Sequence, residues 1–180
     1  MRFPQVTEYT PYAGIGSRET PEDILALMRG IALMLYERGY TLRSGGAEGA
    51  DTAFEQGTPV MSMMEIFLPW DGFNRKRMTI PEKNLALGEA RSIAEKYHPN
   101  WEACSEGARK MHTRNSFQIM GADCHSLSSF VVCWTKDGKA SGGTGQALRI
   151  AEDKKIPIYN LHDKDVRGMF YEELGWEHDR

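Results

Sequence analysis

The residues best suited to chemistry are glycines. Ser141-Gly142-Gly143-Thr144-Gly145 follows the apolar run Phe130-Val131-Val132-Cys133-Trp134 and precedes Ala147, Leu148, Ile150 and Ala151 at helical spacing. A strand, a Gly-rich turn and a helix start together make an anion site, because the first helical amides lack partners and carry the positive dipole end. Glycine at 142, 143 and 145 removes the Cβ atoms that would hold a phosphate away from those amides. Two more such turns occur, Gly14-Ile15-Gly16-Ser17-Arg18 and Ser44-Gly45-Gly46-Ala47-Glu48-Gly49-Ala50-Asp51. In the first, Ser17 offers a hydroxyl and Arg18 a bidentate fork for phosphate; the plainer role for Arg18 is surface pairing with Glu19 or Glu22. In the second, Ser44, Gly45 and Gly46 would supply amides. Asp51 is placed like an acid that bonds a ribose hydroxyl, or like an ordinary dipole-complementing residue in a first helical turn. Glu48 is an acid inside the turn itself.

The elements around these turns alternate. Tyr12-Ala13-Gly14-Ile15 reads as a short strand, and Thr20 and Pro21 open a helix carrying Ile24, Leu25, Leu27, Met28, Ile31, Ala32, Met34 and Leu35, which Gly39 ends. Tyr40–Arg43 and Met64–Leu68 read as strands, with a helix through about Glu55 between them. A helical period runs from Glu102 to Met120, Phe130–Trp134 is a buried strand, and Ile156–Asn160 a last one. The stretch at about 71–99 reads as an irregular segment over the sheet edge that shapes the site, with Asn74-Arg75-Lys76-Arg77 as a basic cluster. Trp70 and Phe73 could stack a base at the site edge or cap the core. The expectation is one α/β domain over 1–180, Rossmann-like and doubly wound, its mostly parallel sheet covered by helices on both faces. In such sheets ligands bind beyond the carboxyl ends of the strands, where all three Gly-rich turns fall. Three turns on one edge point to a phosphate-bearing ligand.

Composition narrows the classes. Hydrophobic residues make up 41% and charged residues 26% of 180, as in a soluble globular protein. A net charge of −3 gives no general attraction to DNA, so any nucleic-acid contact needs a local basic patch. Cys104, Cys124 and Cys133 form neither a disulfide framework nor a zinc spacing, and the five His add no ligand pattern; no metal and no cofactor are expected. The N-terminus carries no signal-like segment and no run is long enough for a membrane span, so a cytoplasmic setting and no membrane partner are expected.

At Tyr12–Arg18, Arg43–Asp51, Arg114-Asn115 and the block from Ala140 to Asn160, the sequence resembles the SLOG superfamily of Rossmann-like proteins. That superfamily contains the DNA-processing protein DprA and the LOG phosphoribohydrolases. The resemblance covers most of Tyr12 to Asn160. Its DprA side implies single-stranded DNA as a partner; its LOG side implies hydrolysis of the N-glycosidic bond of nucleoside monophosphates. LOG enzymes pair an Arg from an M-x-x-R-K-like helix with a Glu in P-G-G-x-G-T-x-x-E. Met111-His112-Thr113-Arg114-Asn115 is similar to the first, which implies a catalytic Arg114 with Asn115 beside it at the ligand. In the second block Arg149 stands where the Glu belongs and Gln146 where the Thr belongs.

Glycosidic cleavage needs an acid at the leaving base or a carboxylate at the sugar. With the family Glu absent, Glu48, Asp51, Asp71 and Asp137 are the carboxylates near site loops, Glu48 foremost; His112 is a possible base or a plain helix residue. The leading expectation is a nucleotide or nucleotide-derived ligand, with N-glycosidic hydrolysis as an added activity. The alternative is a DprA-like single-stranded DNA-binding protein without enzymatic activity. A homodimer or larger homo-oligomer is also expected, from the resemblance, the apolar breadth of the helix at Ile24–Leu35, and the cluster Met61, Met63, Met64.

Overall fold

The computed structural model describes residues 3–177. Five short strands form one parallel sheet: β1 (Pro11–Gly14), β2 (Thr41–Ser44), β3 (Met64–Ile66), β4 (Val131–Cys133) and β5 (Ile158–Asn160). Their order is β3-β2-β1-β4-β5, with β1 paired to both β2 and β4. The chain runs outward from β1 in one direction, then restarts at β4 and runs outward in the other. The crevice between the carboxyl ends of β1 and β4 is therefore the switch point at which open α/β sheets bind ligands.

Among the described residues six α-helices cover the sheet: α1 (Glu22–Glu37), α2 (Ala50–Gly57), α3 (Leu87–Tyr97), α4 (Glu106–Met120), α5 (Gly142–Asp153) and α6 (Lys164–Leu174). The strand period of two sorts side chains into two cores. Tyr12, Leu42, Phe130 and Val132 pack with α1, α2 and α6, whereas Ala13, Ile15, Val131 and Cys133 pack with α3, α4 and α5. Rossmann-like architecture with both faces covered is what the alternating pattern implies.

Three local readings need correction. Thr20 does not cap α1: its hydroxyl donates to the Ser17 carbonyl (2.7 Å), and Pro21 takes the cap position. The 71–99 stretch is more regular than its polar sequence suggests, holding two 3₁₀ turns and all of α3. It also lies away from the switch-point cleft, and its residues 75–80 line a separate groove at β3. Trp70 and Phe73 contact each other edge to face at 5.0 Å, with Phe73 buried and neither on the cleft wall. Phe73 belongs to the core, and Trp70, 44% exposed, lies against it at the surface.

The apolar breadth of α1 is used inside the chain. Ile24, Leu27, Met28, Ile31, Ala32, Met34 and Leu35 are all buried, and only Leu33 of its large apolar residues is well exposed. An expected homo-oligomer therefore loses the support of this helix and keeps that of Met61, 61% exposed beside edge strand β3. No helix among the described residues is long and apolar enough to cross a membrane.

Candidate functional site

A cleft of about 570 Å³ opens at the switch point. Its walls come from the β1 turn (Gly16, Ser17, Arg18, Glu19), the β4 end (Thr135, Lys136), the start of α5 (Ser141–Thr144), and α4 (Met111, His112, Arg114, Asn115), with Ala47 and Asp51 at the base.

The start of α5 is built to stay open. Ser141 occupies the N-cap position but makes no capping bond; its hydroxyl instead donates to Asp137 Oδ1 (2.7 Å), which also accepts from the Lys139 amide (3.1 Å). Arg149 Nη1 donates to the Ala140 carbonyl (2.9 Å) and its Nε to Tyr97 O (2.7 Å). From the other side Asn115 Nδ2 donates to the Gly143 carbonyl (2.9 Å). The loop is thus held on three sides by side chains, none of which uses the first helical amides. A Cβ at Gly142 or Gly143 would meet nothing within 4 Å, so both face open space. Gly142 additionally needs its φ of +61°. Gly145 serves packing: a Cβ there would sit 2.5 Å from the Ala140 carbonyl oxygen.

The β2 turn, which looks similar in sequence, is closed. The Arg114 guanidinium reaches 69 residues back to donate to the Gly45 carbonyl, and a Cβ on Gly45 would collide with it. The Ala50 amide, at the start of α2, donates to the Ser17 carbonyl (3.4 Å), and the Ala47 amide to Asp51 Oδ2 (3.1 Å). Ser44 is fully buried and donates to Glu55 Oε1 (2.5 Å). Ser44, Gly45 and Gly46 are therefore structural and absent from the cleft wall. Gly16 lines the cleft and also admits Ala50, whose Cβ would lie 2.7 Å from a Cβ at 16.

Among the candidate catalytic groups, Glu48 is exposed and outside the cleft wall, as is Asp71. Asp137 is spent on the loop. Arg114 is buried in the wall, its Nε donating to Asn115 Oδ1 (3.0 Å) and its Nη1 lying 3.5 Å from Asp51 Oδ2. Burial pushes the Arg114 guanidinium pKa down, against the pull of Asp51. Burial also raises the Asp51 carboxyl to about 6; Arg114 opposes this and Glu55 adds to it. His112, half-buried on the same wall, is pushed down to about 4 by burial first and then by His98, Arg114 and Arg149. It is neutral at pH 7.

The Asp51 shift has a testable sign. A folded-state pKa above the unfolded 3.8 contributes stability that is complete below pH 4 and lost as pH rises through about 6. The stability of the wild type minus that of Asp51→Asn is expected to fall by roughly 2–3 kcal/mol over that range. Urea melts of both proteins between pH 4 and 7 read this difference. A flat or rising difference would mean that Arg114 outweighs burial.

Sequence reasoning placed Gly16, Ser17, Arg18, Asp51, Arg114, Asn115 and Ser141–Thr144 at one site, and the fold does bring these together. It missed Lys136, Thr135 and Met111. Lys136 lies at the carboxyl end of β4, the position the strand-end rule singles out, and its ammonium faces Glu19 across the rim at 3.9 Å.

No protein-family model matches the sequence, and no curated protein does either. Among solved structures the chain is similar to DNA processing protein A from Helicobacter pylori, a structure described for its single-stranded DNA binding mode. The TM-score is 0.54 over 93% of this chain and 74% of that one, with 16% identical residues. The fold is DprA-like. That likeness is one of fold.

Proposed function

We propose that the cleft binds the phosphate of a nucleotide presented by single-stranded DNA, and that it does so without hydrolysis. The observation that carries this is the uncapped start of α5, opened by Gly142 and Gly143, with the basic side chains of Arg18 and Lys136 on the same cleft. Partnerless amides at a helix start and exposed cations at the rim suit a phosphodiester, and neither reads a base. The similar fold of a protein described for binding single-stranded DNA supports the polymeric form.

Hydrolysis is disfavoured by the carboxylates. Asp51 is the buried one on the cleft wall, and it is engaged by Arg114 and the Ala47 amide. Arg149, in the position of the LOG glutamate, points away to Tyr97 and Ala140. The second reading, a LOG-like N-glycosidase acting on a free nucleotide, draws its support from Arg114 and Asn115 on the wall of a cleft large enough for one nucleotide.

Fluorescence anisotropy with a labelled oligothymidylate separates the two. Two phosphate contacts predict that affinity weakens about five- to tenfold between roughly 50 and 200 mM salt, with no free base released from nucleoside monophosphates. Base release with no oligonucleotide binding would instead establish the second reading.

A further inference from the structure

The sequence spacing of His and Cys gives no metal pattern, yet the fold brings His98, Cys104 and His112 together. His98 caps the end of α3, Cys104 precedes the Ser105 cap of α4, and His112 lies two turns into α4. One ligand atom from each falls within 4.8 Å of the others. Cys104 Sγ is 3.6 Å from His98 Nδ1, and the two imidazole rings are 4.3 Å apart. Tetrahedral zinc bonds of about 2.3 Å to sulfur and 2.0 Å to nitrogen put those two atoms about 3.6 Å apart. The Cys104–His98 edge already has that length.

We propose that His98, Cys104 and His112 form a zinc site on the wall of the cleft. One thiolate and two imidazoles are a donor set that suits zinc among the common divalent ions. His112 Nδ1 is buried and makes no hydrogen bond of normal geometry, and Gln146 beside it carries a likewise unpaired Oε1; ligation of the ion by His112 would fix the ring and let that pair close. The surroundings are packed. Trp101 is buried between the helices, with the Arg91 and Arg109 guanidinia over its ring at 5.7 and 5.5 Å, and Arg91 forms a two-bond pair with Glu106. Binding takes the lone pairs of two neutral imidazoles and releases the Cys104 thiol proton to solvent. Coordination through His98 Nδ1 displaces the Asn100 amide (3.2 Å), which is exposed and passes to water. No fourth His, Cys, Asp or Glu joins the cluster among the described residues, so the ion keeps one position for water or a ligand atom. Because His112 also lines the cleft, the ion ties α3 and α4 to the nucleotide site.

The test is titration of chelator-treated protein with Co2+, then displacement by Zn2+. One Co2+ per chain is expected, with a thiolate charge-transfer band and the intense visible bands of a tetrahedral ion, both lost on adding Zn2+. Cys104→Ser should abolish the charge-transfer band, and His98→Ala should weaken Zn2+ binding more than about a hundredfold, beyond what loss of a supporting group causes. Circular dichroism checks that both variants stay folded; Cys124→Ser, which alters a thiol outside the cluster, should keep the band. Absence of a thiolate band in folded wild-type protein, or a band that survives Cys104→Ser, overturns the proposal.

Discussion

Gly143→Asp is expected to lower affinity for an oligonucleotide by about thirtyfold or more while leaving the melting temperature nearly unchanged. A Cβ at this position meets no atom within 4 Å, and its φ lies outside the left-handed region, so the backbone accepts a side chain. An Asp in the first turn of α5 also complements the helix dipole. The same carboxylate occupies the place of the anion. Repulsion of about 2 kcal/mol between like charges in a cleft corresponds to roughly a thirtyfold loss. Gly142 would be a poorer choice, because its positive φ mixes strain into the result. Calorimetric affinity and a thermal melt on one preparation decide the matter: unchanged affinity would mean that the glycines serve only the turn.

Arg43→Ala should instead strike the fold. Arg43 is 1% exposed on interior strand β2, and four groups accept from its guanidinium: Glu65 Oε2 (2.6 Å), the Ser126 carbonyl (2.6 Å), Ser128 Oγ (3.2 Å) and the Tyr9 hydroxyl (2.9 Å). The Tyr9 hydroxyl in turn donates a hydrogen bond to Glu65 Oε1 (2.6 Å), closing a network that joins β2, β3, the N-terminal segment and the loop before β4. Removing the cation leaves the largely buried Glu65 carboxylate with the Tyr9 hydroxyl as its remaining donor, and takes from the Ser126 carbonyl the donor it has in the fold. Breaking such a pair costs about 3–5 kcal/mol; Glu65 keeps some access to water, which favours the lower end. For a chain of this length about 3 kcal/mol lowers the melting temperature by roughly 6–12 °C. A shift below about 3 °C would show that water replaces the guanidinium. Arg43 opens the Arg43–Asp51 block, directly before the glycines of the β2 turn. Burial makes it a structural pin.

That contrast marks what the sequence could and could not tell. Apolar runs without alternation identified the strands, because a parallel sheet covered on both faces buries the side chains of its inner strands on both sides. Glycine before a helical period identified the turns. Which turn is open was not legible, since glycine answers two needs with one residue type. At 142 and 143 it leaves room for a ligand; at 45 it leaves room for Arg114, which arrives from a helix 69 residues away. Helix α3 shows in sequence only as a weakly helical stretch at Ile93–Tyr97, because its apolar face is sparse, with Ala90 and Ala94 as its buried residues. The meeting of His98, Cys104 and His112 depends on how α3 turns into α4, which no spacing rule encodes.

The most direct test of the phosphate site is an NMR titration of the isotope-labelled chain with a short oligothymidylate, followed at backbone amides. The account predicts that Gly142, Gly143 and Thr144 shift together, saturate with a single affinity, and do so alongside Arg18. A response confined to Arg75, Lys76 and Arg77 at the separate groove, with the α5 amides unmoved, would contradict it.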